Sequence, residues 1–200
     1  TLTSVVEDKE GVIWAGGAYS MIKVDKDSVI DVTNKIPPNT IIFDMHIGRE
    51  DGKIYLGTAD RLITIDGDSV SFLDKTNGVP NAQFWDIYED DAHEIWLSSA
   101  GGGVVKYDNH GIGWFGRNEG LNIESSIQDI VEDKNGRIIF GTELDGYYYY
   151  ENGLFNKLEL PELKDIRTGY STLYNTEGDL LVLTSSNGSV IWLKDNKVIH

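Results

Sequence analysis

The chain has 200 residues, with 17 Lys and Arg against 33 Asp and Glu, and so carries a formal net charge of −16. That field repels phosphate backbones and anionic lipid surfaces, which argues against nucleic-acid binding and against membrane insertion by this segment. Hydrophobic residues at 40%, with 5 Trp, 10 Tyr and 6 Phe, suffice for a packed core, while the lack of cysteine removes disulfides, thiol nucleophiles and thiolate metal sites.

No apolar stretch approaches the ~20 residues of a membrane-spanning helix. Zero cysteines fit a reducing cytosol and equally a periplasm. The opening Thr-Leu-Thr-Ser, with neither an initiator Met nor a signal peptide, reads as an excised segment. Glycine is abundant, 22 residues in all, which predicts many tight turns.

One frame recurs along the chain: EDKEGVIWAGG from Glu7, REDGKIYLGT from Arg49, EDDAHEIWLSS from Glu89, EDKNGRIIFGT from Glu132 and NTEGDLLVLTS from Asn175. Its anchors, Gly11, Gly52, His93, Gly136 and Gly178, lie 41, 41, 43 and 42 residues apart. The units divide the chain at about 1–36, 37–78, 79–120, 121–164 and 165–200. Within the fourth, strands are expected at Ile127–Glu132, Arg137–Thr142, Tyr147–Tyr150 and Phe155–Leu158, rich in Ile, Tyr and Phe and broken by Gly, Asn and Asp. No helical period is sustained. Four strands in about 42 residues predict an all-β fold, a β-propeller of about five four-stranded blades. Since five blades leave little chain for closure, the segment is expected to be part of a larger ring.

In Glu-Asp-x-x-Gly the Asp (Asp8, Asp90, Asp133) is expected to accept backbone amides across the turn, with Gly at positive φ. His93, in the glycine's place, tolerates the left-handed region better than most residues. The large residue that follows, Trp14, Tyr55, Trp96, Ile139 or Leu181, fills the gap between blades, and the variation predicts that only bulk is preserved there.

Asp-x-x-Gly-x-Ile-Trp-x-Gly, a turn such as Ala100-Gly101-Gly102-Gly103, and Val-Lys-Tyr-Asp at Val105–Asp108 resemble the two-component regulator propeller repeat. The connectors Asn77-Gly78-Val79-Pro80-Asn81 and Glu119-Gly120-Leu121-Asn122 are similar to that family's Gly-Leu-Pro-Asn link. Asn175, Leu183 and Ser98 depart from the pattern. The resemblance implies a bacterial periplasmic or cell-surface sensor region of about seven blades, with further blades and downstream signalling domains in the same protein and a glycan fragment as ligand. It leaves open a scaffold for protein contacts in surface display or secretion, a polysaccharide-active hydrolase or lyase, and a homodimer.

Several motifs lose their chemical meaning in context. Gly111-Ile-Gly-Trp-Phe-Gly116 has no helix after it to meet a pyrophosphate. Gly101–Gly103 fits a β-turn better than an anion nest. Asp25-x-Asp27 and Asp66-x-Asp68 lack the Gly and Glu of a calcium loop and read as hairpin tips. The four histidines share no metal-ligand spacing, and no catalytic grouping, metal site or cofactor is expected.

Two sets of residues remain. Ser4, Asp44, Asp86, Asp129 and Ser171 recur in the first strand, where they either ring a central channel or serve as satisfied structural groups. Ligand contacts are expected from the loops joining strands two to three (Tyr19, Arg61, Glu143, Asp145) and four to one (Gln83, Trp85, Arg117, Asn122, Arg167, Tyr170). Flat aromatics beside Arg, Asn and Gln suit an oligosaccharide, and the arginines suit an acidic one. The alternative is that Trp85 plugs an inter-blade gap and the arginines pair with nearby acids.

Overall fold

Tight turns punctuate the chain, and their side chains explain where the strands stop. Asp8 Oδ1 accepts the amides of Glu10 and Val12 at 3.0 and 2.9 Å. Asp90 Oδ1 does the same for Ala92 and Glu94, both at 2.9 Å, and Asp133 Oδ1 for Asn135 and Arg137, at 2.8 and 3.0 Å. Each turn closes on a residue of positive φ: Gly11 at 79°, His93 at 61° and Gly136 at 76°. The His93 exception is thus accommodated in the left-handed region. The equivalent Gly178 lies outside the described residues.

The computed structural model describes residues 1–79, 83–101, 103–108, 111–160, 168–174, 180–184, 190–194 and 197–198. These hold five four-stranded antiparallel sheets, each ordered along the chain. The first is β1 (Leu2–Glu7), β2 (Ile13–Gly17), β3 (Ser20–Asp25) and β4 (Ser28–Asp31). The second is β5 (Ile42–Ile47), β6 (Ile54–Thr58), β7 (Leu62–Asp66) and β8 (Ser69–Leu73). The third is β9 (Phe84–Glu89), β10 (Ile95–Ser99), β11 (Val104–Asp108) and β12 (Gly111–Phe115). The fourth is β13 (Ile127–Glu132), β14 (Ile138–Thr142), β15 (Tyr147–Glu151) and β16 (Leu154–Leu158). The fifth is β17 (Thr168–Tyr174), β18 (Leu180–Thr184), β19 (Val190–Lys194) and β20 (Lys197–Val198). The Gly111–Gly116 run is therefore strand β12 and the residue that caps a single 3-10 turn, Arg117–Glu119. This turn stands where the sequence predicts no helix, and one turn is too short to offer a helix N-terminus to a pyrophosphate.

The chain forms two compact units, Thr1–Leu97 with Lys106–Ile112, and Ser98–Val105 with Gly113–His200. In the first unit β5 packs across β1 and β2, and β9 across β5 and β6. Glycine permits that approach. A Cβ on Gly16 would lie 2.7 Å from Met45 Sδ and 2.8 Å from Ile42 Cδ1, and one on Gly57 would lie 2.9 Å from the Phe84 carbonyl oxygen. Met21, Val32, Ile36, Ile42, Met45, Ile54, Leu56, Ile63 and Ile65 form the core here, with Val6 and Trp14 against it. In the second unit β17 packs across β13 and β14. Ile139, Tyr147, Leu160 and Ile191 are buried together there, and Tyr147 Oη shares a hydrogen bond with Thr172 Oγ1 at 3.1 Å.

The strand-two aromatics are more than bulk, which corrects the expectation from sequence. Trp14 Nε1 donates to Asp8 Oδ2 at 2.9 Å and Trp96 Nε1 to Asp90 Oδ2 at 2.8 Å. Each carboxylate thus fixes both the turn and the ring that follows it. Ile139 has no donor to offer, and Arg137 Nε supplies one to Asp133 Oδ2 at 2.7 Å. The bond is preserved while the residue that makes it changes.

Candidate functional site

An antiparallel meander brings the β2–β3 and β6–β7 loops to the same sheet end as the connectors into the next sheet. In the first unit this end is built on Pro37-Pro38-Asn39-Thr40. Thr40 N donates to the Pro37 carbonyl at 3.3 Å and Asn39 has φ 63°, the arrangement of a type II turn with proline at its second position. Tyr19 N donates to the Thr40 carbonyl at 2.9 Å, and the Tyr19 side chain stands exposed beside the turn. Between Pro37–Ile41 and Thr58–Arg61 lies a cleft of about 230 Å³.

Arg61 is held by acids at its rim. Its Nε and Nη2 meet the Asp60 carboxylate at 2.9 and 2.5 Å, and Nη1 stands 4.0 Å from Asp74. The Arg61 bond keeps the Asp60 carboxyl below its usual range, against the opposing effect of burial. Trp85 rests on Phe43 with ring centroids 4.6 Å apart, and among the described residues its buried Nε1 has no hydrogen-bond partner. Phe43 sits at the register shift in β5, between Ile42 and Asp44, and Trp85 holds the equivalent place in β9. Gln83 is exposed just before β9.

In the second unit, Glu143 N donates to the Ser126 carbonyl at 2.9 Å, and Leu144 N to Ser125 Oγ at 2.8 Å. Asp145 accepts Lys157 Nζ at 2.5 Å, the Tyr148 hydroxyl and the Asn122 side chain. Burial raises the Asp145 pKa, but these three donors outweigh it and hold the carboxyl low. Arg117 Nη2 donates to Glu124 Oε1 at 3.1 Å on the surface. Arg167 lies outside the described residues. Tyr170 and Ser171 are placed in β17.

The recurrent polar residues of the first strands link one strand to the next. Ser4 Oγ donates to Asp44 Oδ1 at 2.9 Å and accepts from Met45 N at 3.1 Å, and Asp44 Oδ2 accepts from Ile87 N at 3.0 Å. Ser4 stands opposite Gly16, Asp44 opposite Gly57 and Asp129 opposite Gly141, each just past a register shift. Asp86 holds the same position in β9.

At the opposite sheet end lies a cluster that was not foreseen. The Glu89 side chain is 2% exposed, and its Oε2 meets His46 Nε2 and Arg49 N, each at 2.7 Å. Its Oε1 meets His93 Nδ1 at 2.6 Å. Arg49 Nη2 also donates to the Glu89 carbonyl at 2.8 Å and to that of Asp90. Burial opposes the charged form of Glu89, yet bonds from His46, Arg49 and His93 prevail and lower its pKa. A cavity of about 50 Å³ adjoins it, lined in part by Glu50, Asp51, Tyr55, Tyr107 and Asp108. Among the described residues no group of three or more His, Cys, Asp or Glu could hold a metal ion.

No protein-family model and no curated protein matches the chain. Solved structures do. The extracellular domain of BT4673 of B. thetaiotaomicron, a candidate hybrid two-component system, superposes with a TM-score of 0.74 at 17% identity, over 96% of this chain and 27% of that one. Virginiamycin B lyase from Staphylococcus aureus gives 0.76 at 14% identity, over 96% and 69%. The WD40 propeller domain of Doa1 gives 0.69 at 18% identity, over 94% and 62%. The chain thus spans about a quarter of the length of that extracellular domain. These likenesses show the fold: the chain is a series of five four-stranded β-propeller blades.

Proposed function

We propose that this chain belongs to the ligand-sensing propeller of an exported, two-component-type receptor and works by binding, passing the signal to other domains of its polypeptide. Its ligand is a neutral, hydroxyl-rich molecule of the oligosaccharide class, taken up at the connector end of the sheets. The observation that carries the reading is the cleft of about 230 Å³ between the Pro37–Thr40 turn and the Thr58–Arg61 loop, beside the exposed Tyr19. It is smaller than the ~300 Å³ at which drug-sized sites begin, which suits one ring and its substituents. Asn39, Thr40 and Asp60 offer directed hydrogen bonds, and Tyr19 a flat face.

Arg61 meets Asp60 and stands near Asp74, the pairing with nearby acids that the sequence left open, so the rim of this cleft favours a neutral sugar over an acidic one. Export is supported by solved relatives that are extracellular domains of candidate sensors.

Calorimetric titration with neutral and acidic oligosaccharides tests the reading. A neutral ligand is expected to bind, and Tyr19→Ala and Arg61→Ala each to weaken it about tenfold, roughly 1.4 kcal/mol. Asp68→Ala, at a hairpin tip on the other sheet end, leaves it unchanged. Binding that survives both changes moves the site elsewhere. No binding at all favours a protein-interaction scaffold, and release of product makes the chain a hydrolase or lyase.

A further inference from the structure

The turn that carries Tyr19 is built against the preference of its residues. Ala18 and Tyr19 alone join β2 to β3, between the paired Gly17 and Ser20, and Tyr19 has φ 64°. A positive φ at the third residue of a tight turn suits glycine or asparagine, because a Cβ there crowds the backbone. The corresponding loops of the third and fourth sheets use glycine: Gly101 and Gly103 have φ 74° and 81°, and Gly146 has φ 77°. Among the other described non-glycine residues at positive φ, Asn39, His93 and Asn152 are of types that tolerate it, and Lys26 lies at a hairpin tip of the opposite sheet end. Tyr19 is the bulky exception at the connector end.

Burial does not offset the strain, since the Tyr19 side chain is 60% exposed. Its backbone, by contrast, is clipped in place. Ala18 forms a β-bridge with Ile41, and Tyr19 N donates to the Thr40 carbonyl at 2.9 Å. Both contacts run through the main chain, so glycine at position 19 could make them without the strain. They hold the left-handed conformation and leave the ring no structural task. They also set the ring beside the Pro37–Thr40 turn, at the mouth of the cleft of about 230 Å³. A strained residue that buries little points to a use for its side chain.

We propose that Tyr19 selects the ligand of this cleft: the ligand's own ring lies on the Tyr19 ring, so the site takes cyclic sugars and discriminates against open-chain polyols bearing similar hydroxyls. The proposal deepens the neutral-sugar reading of the cleft and rests on it. A pyranose offers a fixed face of C–H groups to an aromatic ring, whereas an alditol brings its hydrogen-bonding groups without such a face. The rest of the cleft divides in the same way. Pro37 and Pro38 present apolar surface, while Asn39, Thr40 and Asp60 supply hydrogen bonds.

The test pairs stability with binding. Tyr19→Ala removes the ring and keeps the strained Cβ, while Tyr19→Gly removes both, so Tyr19→Gly is expected to have the higher urea midpoint of the two. Binding is read by NMR titration with the methyl pyranosides of glucose, galactose and mannose, and with sorbitol, galactitol and mannitol. At least one pyranoside is expected to bind the parent chain about tenfold or more tightly than its alditol, and to lose about tenfold in Tyr19→Gly and Tyr19→Ala. Tyr19→Phe is expected to recover most of that loss. Alditols that bind as tightly as the pyranosides, or a Tyr19→Gly variant that binds like the parent, overturn the proposal and leave the cleft a neutral polyol site. Equal midpoints for Tyr19→Gly and Tyr19→Ala overturn it by showing that the turn is unstrained. Absence of binding by either set to the parent removes both the proposal and the reading on which it rests.

Discussion

Asp51 occupies the space that a side chain on Gly48 would fill: a Cβ built at residue 48 would lie 2.1 Å from Asp51 Oδ1. Gly48 stands where the other repeats place their anchoring Asp, since its amide meets the Lys53 carbonyl as that of Asp8 meets Val12 and that of Asp90 meets Glu94. The turn is one residue longer, and the carboxylate comes from its far end. Asp51 Oδ1 accepts Lys53 N at 3.0 Å and Oδ2 accepts the Tyr55 hydroxyl at 2.9 Å, the same pair of tasks that Asp8 performs. Gly48→Ala must therefore displace the Asp51 carboxylate. The expected cost is about 1–3 kcal/mol in urea unfolding, and it shrinks to below about 0.5 kcal/mol when Asp51 is already Ala. An unchanged cost in the Asp51→Ala background would mean that the two residues are not coupled.

The Trp96–Asp90 bond separates direction from volume. Trp96 is buried, so Trp96→Ala should cost about 3–5 kcal/mol through the cavity it leaves. Trp96→Phe keeps most of the ring and removes Nε1, leaving Asp90 Oδ2 without its donor. A buried carboxylate left short of a partner costs about 1–3 kcal/mol beyond the lost volume. Equilibrium unfolding of Trp96→Phe, with and without Asp90→Asn, measures it: the two changes should be clearly non-additive. Additive losses would return the ring to a purely space-filling role.

What the sequence made legible is what recurs within one repeat. The Asp-x-x-Gly frame, the positive φ at His93 and the four strands of the fourth unit all rest on residues within about ten positions of one another. Strands expected at 127–132, 137–142, 147–150 and 155–158 lie at 127–132, 138–142, 147–151 and 154–158. The Glu89 cluster was hidden because Glu89 looks like Glu7 and Glu132, and what sets it apart is His46 and Arg49, forty residues earlier on a neighbouring sheet. The Asp51 and Arg137 exchanges were hidden for a related reason. The repeat preserves a bond in space, and a comparison by position sees only that the residue has changed. The arginines of the connector end were legible as two alternatives, and pairing with nearby acids is the one found: Asp60 is adjacent to Arg61 and Glu124 lies seven residues from Arg117.

The anchoring carboxylates give stability an acid limb of definite sign. In Asp8, Asp51, Asp133 and Glu89, burial opposes ionisation, but hydrogen bonds to the charged form outweigh it and the folded pKa falls below the usual value. Groups of this kind stabilise the fold above their unfolded pKa, and that contribution is lost as pH falls through the folded one. Urea midpoints should therefore hold between about pH 7 and 5 and drop below about pH 4. Relief of repulsion in a chain of net charge −16 acts in the opposite direction. Asp133→Asn distinguishes the two effects, since it should lower the neutral midpoint and flatten the acid limb. A steeper acid limb in that variant would contradict the assignment.

Glu89 should be the costliest single carboxylate to neutralise. It is buried, and His46 Nε2, His93 Nδ1 and the Arg49 amide all converge on its two oxygens. Glu89→Gln keeps the shape, replaces one acceptor oxygen with a donor and turns that donor towards another. Hydrogen bonds to a buried charge contribute about 1.5–3 kcal/mol each and are not additive, so a loss of roughly 2–4 kcal/mol is expected. The comparison is Asp91→Asn, which removes a second carboxylate facing Arg49, at 3.3 Å, from a side chain that is 82% exposed. An exposed pair of that kind contributes less than about 1 kcal/mol. Hydrogen exchange should also locate the damage: amides of the Asp90–Glu94 and Gly48–Lys53 turns should lose protection in Glu89→Gln and keep it in Asp91→Asn. Equal stability of the two variants would show that the Glu89 cluster is an ordinary surface ion pair, and protection retained in both turns would detach it from the anchoring of the first strands.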